Sequence, residues 1–225
     1  MLRLCDAEYP AATTIVVGGS ASTGRRTPTS DIDVLLIAPT EAFGTAGRSS
    51  EARVVHREGE RFDVFAYTED AYGEWAERDF ASLRPVLPYL LTEGLPVRSG
   101  TELEQLHRWS KERLLRGPEV SAHDLALRRY AATDLIDDLA DATDPLARAT
   151  IHADLLRSLG ELALLTAGAW LGSGKWLARR LREADEARAV ELAEFASETD
   201  PARAAALAER MLDGLGGRVD GDFTR

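Results

Sequence analysis

Cysteine and long apolar runs are scarce in this chain of 225 residues. The one cysteine, Cys5, excludes an internal disulfide and a zinc site built on cysteines. No apolar run approaches the ~20 residues needed to span a bilayer, and no charged-then-apolar segment near the N-terminus resembles a signal peptide. The sequence therefore predicts a soluble, cytoplasmic protein with no membrane partner.

Basic residues are also fewer than acidic residues. Asp and Glu number 38 against 27 Lys and Arg, which gives a net charge of −11. This balance argues against nucleic acid as a partner, because binding phosphate backbones requires a basic surface. A P-loop is excluded as well, since no Gly-x-x-x-x-Gly-Lys-Ser/Thr sequence is present. Hydrophobic residues make up 44% of the chain, enough for a globular core in one large or two small domains.

A glycine-serine turn follows the first apolar run. Residues 13–17 read as a strand, and Gly18, Gly19 and Ser20 come directly after it. Glycine tolerates tight turns and lets backbone N–H groups approach a ligand closely. Such N–H groups form concave sites for phosphate oxygens, so the turn predicts a phosphate site.

Paired acids lie in the second apolar run, residues 31–37. Asp31 and Asp33 are separated by one residue, so on a strand they project from the same face. An Asp-x-Asp pair alone is typical of a solvated strand edge, but apolar flanks disfavour that interpretation here. Asp63 lies in another strand-like segment, and if the two strands are neighbours three carboxylates converge. Such a cluster repels itself unless a cation compensates it, which predicts a Mg²⁺ site.

The first third of the chain alternates strands with turns, and the remainder is helical in pattern. Glu58-Gly59-Glu60 predicts a hairpin between residues 53–57 and 61–67. Thr68 is a candidate helix cap. Prolines and a glycine between residues 85 and 101 predict a domain boundary, taken as 1–95 and 96–225. Further helices are predicted over 101–116, after a cap at Ser121, over about 145–171, from Ser173, and from Asp200-Pro201.

The glycine-serine turn, the paired acids eleven positions later and Asp63 together resemble the signature of the DNA polymerase β-like nucleotidyltransferase superfamily. The helical remainder is similar to the C-terminal domain of kanamycin nucleotidyltransferase-like proteins, on the segments 129–130, 134–139 and 174–177. The resemblance implies an α/β (α+β) nucleotidyltransferase fold with a mixed β-sheet, followed by a C-terminal α-helical bundle. It also implies an active site in the cleft between the two parts.

The resemblance assigns a nucleotide-binding role to several residues. Ser20 and the amides after Gly18 and Gly19 would hold the β- and γ-phosphates of a nucleoside triphosphate. Arg25 could reach a phosphate because guanidinium binds phosphate through two N–H groups, although a solvated loop arginine fits equally well. Lys175 is one of two lysines, and a lysine of the helical domain meets the triphosphate in related folds; a surface position is the alternative.

The same resemblance gives the acids their roles. Asp31 and Asp33 would bind Mg²⁺, and Asp63 would share a metal, act as general base on the acceptor hydroxyl, or do both. The donor would be ATP or another NTP, and attack at the α-phosphorus would release pyrophosphate.

The acceptor is the least determined part of this interpretation. The leading hypothesis is Mg²⁺-dependent transfer of AMP from ATP to a hydroxyl of a small molecule, an aminoglycoside-like antibiotic being favoured, which would confer antibiotic resistance. The alternatives are nucleotidylation of a protein or tRNA, as in toxin–antitoxin systems, and a non-catalytic nucleotide-binding module. The base of the NTP and a homodimer both stay open.

Overall fold

The computed structural model describes residues 2–44 and 47–219, and the chain divides into two compact units between Arg116 and Gly117. The sequence places the boundary at residues 95 and 96 instead. The structure groups residues 96–116 with the first unit because they add a strand to its sheet and a helix to its core. Each unit is described by itself below.

The first unit is a five-stranded mixed sheet with helices on both faces. Its elements are α1 (Leu2–Glu8), β1 (Thr14–Val17), α2 (Gly19–Ser22), β2 (Ile32–Ile37), a 3₁₀ turn (Thr40–Phe43), β3 (Ser50–Arg57), β4 (Glu60–Tyr67), α3 (Glu69–Ala81), α4 (Val86–Thr92), β5 (Leu95–Arg98) and α5 (Leu103–Arg116). The strand order is β3-β4-β2-β1-β5, in which β2 and β4 are parallel and the other neighbours antiparallel. The predicted mixed sheet is confirmed.

Alternation along β2 divides the apolar side chains between two cores. Val34 and Leu36 face α1, whereas Leu35 and Ile37 face α3, α4 and α5. Because alternate residues share a face, Asp33 lies on the same face as Leu35, the face covered by these three helices. The strand is fully buried from residue 34 onward and only partly buried at its beginning, so the aspartates lie where the core ends.

Local signals in the sequence account for the hairpin and for the first long helix. Glu58 and Gly59 join β3 to β4, and both have positive φ, 54° and 80°, as a type I′ hairpin turn requires. The Thr68 side chain accepts a hydrogen bond from the Ala71 N–H (3.2 Å) and caps α3, as predicted.

The second unit is a helical bundle, as the sequence predicts, and within its described residues it has five helices where the sequence predicts four. They are α6 (Ala122–Asp141), α7 (Pro145–Thr166), α8 (Lys175–Ala184), α9 (Glu186–Ser197) and α10 (Pro201–Asp213). The segment predicted to begin at Ser173 is two helices, because Asp185 ends α8 and then caps α9 by accepting from the Arg188 N–H (3.0 Å). None of the helices in the described part of the chain is both long and apolar enough to cross a membrane.

Glu102 links β1 to the segment after β5 through hydrogen bonds. Its Oε1 accepts hydrogen bonds from the hydroxyls of Thr13 (2.5 Å) and Thr14 (2.6 Å), and the Thr14 hydroxyl accepts from the Gly100 N–H (3.0 Å). Burial by itself would raise the pKa of Glu102, but the two hydroxyl donors outweigh it and lower the pKa below the usual value.

Replacing Glu102 with Gln should therefore lower the free energy of unfolding by about 1 kcal/mol at pH 7, because two charge-assisted hydrogen bonds are weakened. The folded-state pKa is depressed, so the contribution is complete above about pH 4.5 and disappears as the pH falls through the folded value. Urea unfolding of both proteins at pH 7 and pH 3 measures the difference. Glu104→Gln, on the exposed side of α5, is the control, and an equal loss in both variants would contradict the assignment.

Candidate active site

The glycine turn lies directly against Asp33. The Gly18 N–H donates to the backbone oxygen of Asp33 (2.9 Å), which joins the end of β1 to the beginning of β2. Gly19 has a φ of 64°, and a Cβ added there would overlap Oδ2 of Asp33. A Cβ on Gly18 would lie 2.5 Å from Cδ2 of Leu90 on α4. Gly19 therefore needs glycine, for its backbone conformation and its contact with the carboxylate, whereas a side chain at Gly18 would have to displace the end of Leu90.

Ser20 carries a buried hydroxyl without a partner. The residue is 3% exposed, and its Oγ makes no hydrogen bond within the described part of the chain. Its backbone oxygen accepts from the Arg25 N–H (3.1 Å), which closes the turn. Buried hydroxyls in folded proteins are nearly always hydrogen-bonded, so an unpaired one next to a candidate ligand site is a feature that needs explanation.

Asp33 and Asp63 are direct neighbours across the parallel pair of β2 and β4. Adjacent strands are ~4.8 Å apart, and paired residues project from the same face. Asp31 precedes β2 by one residue and follows the same alternation. All three aspartates are partly buried. The expectation that the Asp63 strand neighbours residues 31–37 is confirmed.

Arg61 is a residue of the site that the sequence reasoning did not identify. Its Nε and Nη2 donate to the two carboxylate oxygens of Asp63, at 3.1 Å and 3.2 Å. The sequence contains a signal for this contact, because Arg61 and Asp63 are two residues apart and such residues share a face of a strand. Within residues 2–44 and 47–219, no three Asp, Glu, His or Cys side chains are gathered for a metal ion. The Asp63 carboxylate is directed to Arg61, and its charge is balanced there.

The donor set nevertheless suits a hard divalent cation. The acids of the site offer carboxylate oxygens alone, the ligands that Mg²⁺ prefers. Asp33 is held by the turn at Gly19, and Asp63 is its register partner. Asp31, Asp33 and Asp63 are therefore the residues that would hold such an ion.

The basic side chains that could contact a phosphate differ in their surroundings. Arg25 is exposed and its guanidinium makes no hydrogen bond to the described residues. Arg26 instead holds the Glu60 carboxylate through both terminal nitrogens, a pairing that raises the pKa of Arg26 and lowers that of Glu60. Arg26 also donates to the Ser30 oxygen (3.3 Å), so it ties the loop before β2 to the beginning of β4. Lys175 is exposed at the start of α8 in the second unit.

Gly19→Ala and Gly24→Ala together test whether Gly19 positions the Asp33 carboxylate. Both glycines have φ near 65°, but nothing lies within 4 Å of a Cβ at Gly24. Each variant should lose about 1 kcal/mol of stability from the strained φ. Gly19→Ala should in addition weaken Mn²⁺ binding at least about tenfold, because the added methyl forces the Asp33 carboxylate to rotate. Electron paramagnetic resonance of free Mn²⁺ measures the affinity; equal affinities in the two variants would contradict this role.

One family model matches the first unit. Residues 2–86 match the family model of the nucleotidyltransferase domain. The crystal structure of a nucleotidyltransferase-like protein from Exiguobacterium sibiricum 255-15 aligns with a TM-score of 0.47 and 15% identity, over 95% of this chain and 72% of that chain. A search among curated proteins finds no significant match. Residues 2–86 are thus a nucleotidyltransferase domain of the DNA polymerase β-like superfamily.

Proposed function

We propose that this protein transfers a nucleoside monophosphate from an NTP, with ATP as the favoured donor, to a hydroxyl of a small molecule. The observation that carries the proposal is the contact of the glycine turn with Asp33, beside its register partner Asp63. A phosphate-binding turn and a set of carboxylates at one strand end are the two parts that nucleotidyl transfer needs.

The turn supplies the donor side of the proposed site. Backbone N–H groups after Gly18 and Gly19 would donate to the β- and γ-phosphates, and the unpaired Ser20 hydroxyl would find its partner there. Arg25, whose guanidinium makes no hydrogen bond to the described residues, is close enough in sequence to add a further donor. These contacts would hold the triphosphate in place for attack.

The aspartates supply the reacting side. Asp31 and Asp33, with Asp63, would hold Mg²⁺, which when bound neutralises charge on the triphosphate and on the departing pyrophosphate. The acceptor hydroxyl oxygen forms a bond to the α-phosphorus, and the bond from that phosphorus to the bridging oxygen of the β-phosphate breaks. The hydroxyl proton passes to the Asp63 carboxylate, and pyrophosphate leaves with the bond electrons.

An aminoglycoside-like molecule is the acceptor that we propose. The supporting observation is charge: a chain with a net charge of −11 favours a polycationic acceptor over tRNA. Incubation with α-labelled ATP, Mg²⁺ and a panel of aminoglycosides, with cell lysate in parallel, tests this. Label in the small molecule supports the proposal. Label found solely in a protein or RNA band would contradict the acceptor class, and no consumption of any NTP would contradict the transfer itself.

Asp31→Asn, Asp33→Asn and Asp63→Asn should each lower the transfer rate at least ~100-fold, since each removes a charge that the transition state requires. Release of pyrophosphate measures the rate. Asp70→Asn is the control, because Asp70 is exposed in the first turn of α3, at the other end of β4. Full activity in any of the three site variants would remove that aspartate from the mechanism.

Ser20→Ala should weaken binding of the NTP without lowering the stability of the fold. Removing an unpaired buried hydroxyl should leave the free energy of unfolding unchanged or slightly higher, whereas KM for the NTP should rise about tenfold through the loss of one phosphate contact. Ser22→Ala is the matched control, because the Ser22 hydroxyl donates to the Gly19 oxygen (3.1 Å) within the same turn. We expect that control to lose a little stability and to keep its KM. A Ser20 variant that is destabilised and has normal KM would show a structural hydroxyl.

A further inference from the structure

Arg61 engages both oxygens of Asp63. The two hydrogen bonds are 3.1 Å and 3.2 Å long, and they form a bidentate pair between residues on the same face of β4. The Asp63 side chain is 21% exposed, whereas that of Arg61 is 50% exposed. The carboxylate is therefore partly buried, and the guanidinium has open solvent into which it can move.

The same carboxylate belongs to the set of aspartates that would hold a divalent cation. Asp63 lies beside Asp33 across the parallel pair, and an ion shared by these residues would use an Asp63 oxygen. A guanidinium and a divalent cation on one carboxylate repel each other, because both carry positive charge and approach the same oxygens. Both oxygens are also hydrogen-bonded to Arg61, so an incoming ion competes with the guanidinium for the Asp63 carboxylate.

We propose that Arg61 is an exchangeable counter-ion, which holds Asp63 in the ligand-free protein and leaves when a divalent cation binds. This inference rests on the metal site of the proposed function, but not on the identity of the acceptor or the donor. Arg61 acts through Asp63 and is a positioning residue. It keeps the carboxylate ordered and charge-balanced, and it makes the affinity for the cation lower than the carboxylates alone would give.

The test is the Mn²⁺ affinity of the full chain, measured by electron paramagnetic resonance without nucleotide. Arg61→Gln should bind Mn²⁺ about three- to fivefold more tightly than the wild type. This range corresponds to the loss of a half-exposed ion pair that competes with the cation. Arg61→Lys, which keeps the charge but not the two-pronged geometry, should lie between them and serves as the test if the Gln variant does not fold. Weaker or unchanged binding in Arg61→Gln and Arg61→Lys would overturn the proposal.

Two controls separate competition at Asp63 from general charge effects. Arg57→Gln removes the same charge from the neighbouring strand β3, where Arg57 is the register partner of Glu60, and should change the affinity less than twofold. In an Asp63→Asn background, Arg61→Gln should have no further effect, because the shared carboxylate is gone. An equal gain in affinity from Arg57→Gln, or a gain that persists without Asp63, would contradict exchange at that carboxylate.

The outcomes also distinguish this inference from the proposed function. Tighter Mn²⁺ binding by Arg61→Gln in a protein that transfers no nucleotide would uphold the exchange and contradict the transfer. Nucleotidyl transfer with Mn²⁺ affinity independent of Arg61 would uphold the function and overturn the exchange. Absence of Mn²⁺ binding at millimolar concentration in both the wild type and Arg61→Gln would overturn the exchange.

Discussion

The parallel pairing of β2 with β4 is the constraint on which the candidate site depends. It makes Asp33 and Asp63 register partners, although thirty positions separate them in the chain. A slip of one residue would turn Asp63 to the opposite face and would move Phe62 and Val64 out of the core. The apolar alternation of the two strands therefore fixes the register, and the register brings the carboxylates together. The energy of the core thus decides which carboxylates are neighbours, and Arg61 balances the charge of one of them.

The glycine turn depends on the same strand. Gly18 bonds to the Asp33 backbone, and Gly19 leaves just enough room for the Asp33 side chain. The aspartate is thus held at its backbone by one glycine and contacted at its carboxylate by the next. Ser20 follows, with a hydroxyl that is buried and unpaired within the described residues. The groups that we propose to bind phosphate and the cation are therefore adjacent, because one short connection joins the turn to Asp33.

Much of this fold could be predicted because its signals are local. The glycine in the hairpin turn, the Thr68 cap and the acids of the two strands act within a few residues of themselves. The role of β5 could not be predicted in that way. It is four residues long and contains Pro96. It is a strand because it pairs with β1, some eighty positions earlier. The boundary differs for the same reason, since tertiary contacts rather than composition assign residues 96–116 to the first unit.

Arg61 shows why the acids alone are an incomplete description of the site. A pattern of carboxylates predicts a need for positive charge, but it does not say which group supplies that charge when no ion is bound. Among the described residues, two carboxylates of β4 are paired with arginines: Glu60 with Arg26, and Asp63 with Arg61. Both pairs require two parallel N–H donors, a geometry that lysine lacks, in a chain with 25 arginines and two lysines. The guanidinium at Asp63 is half exposed, and this exposure is what allows the proposed exchange of Arg61 for a cation.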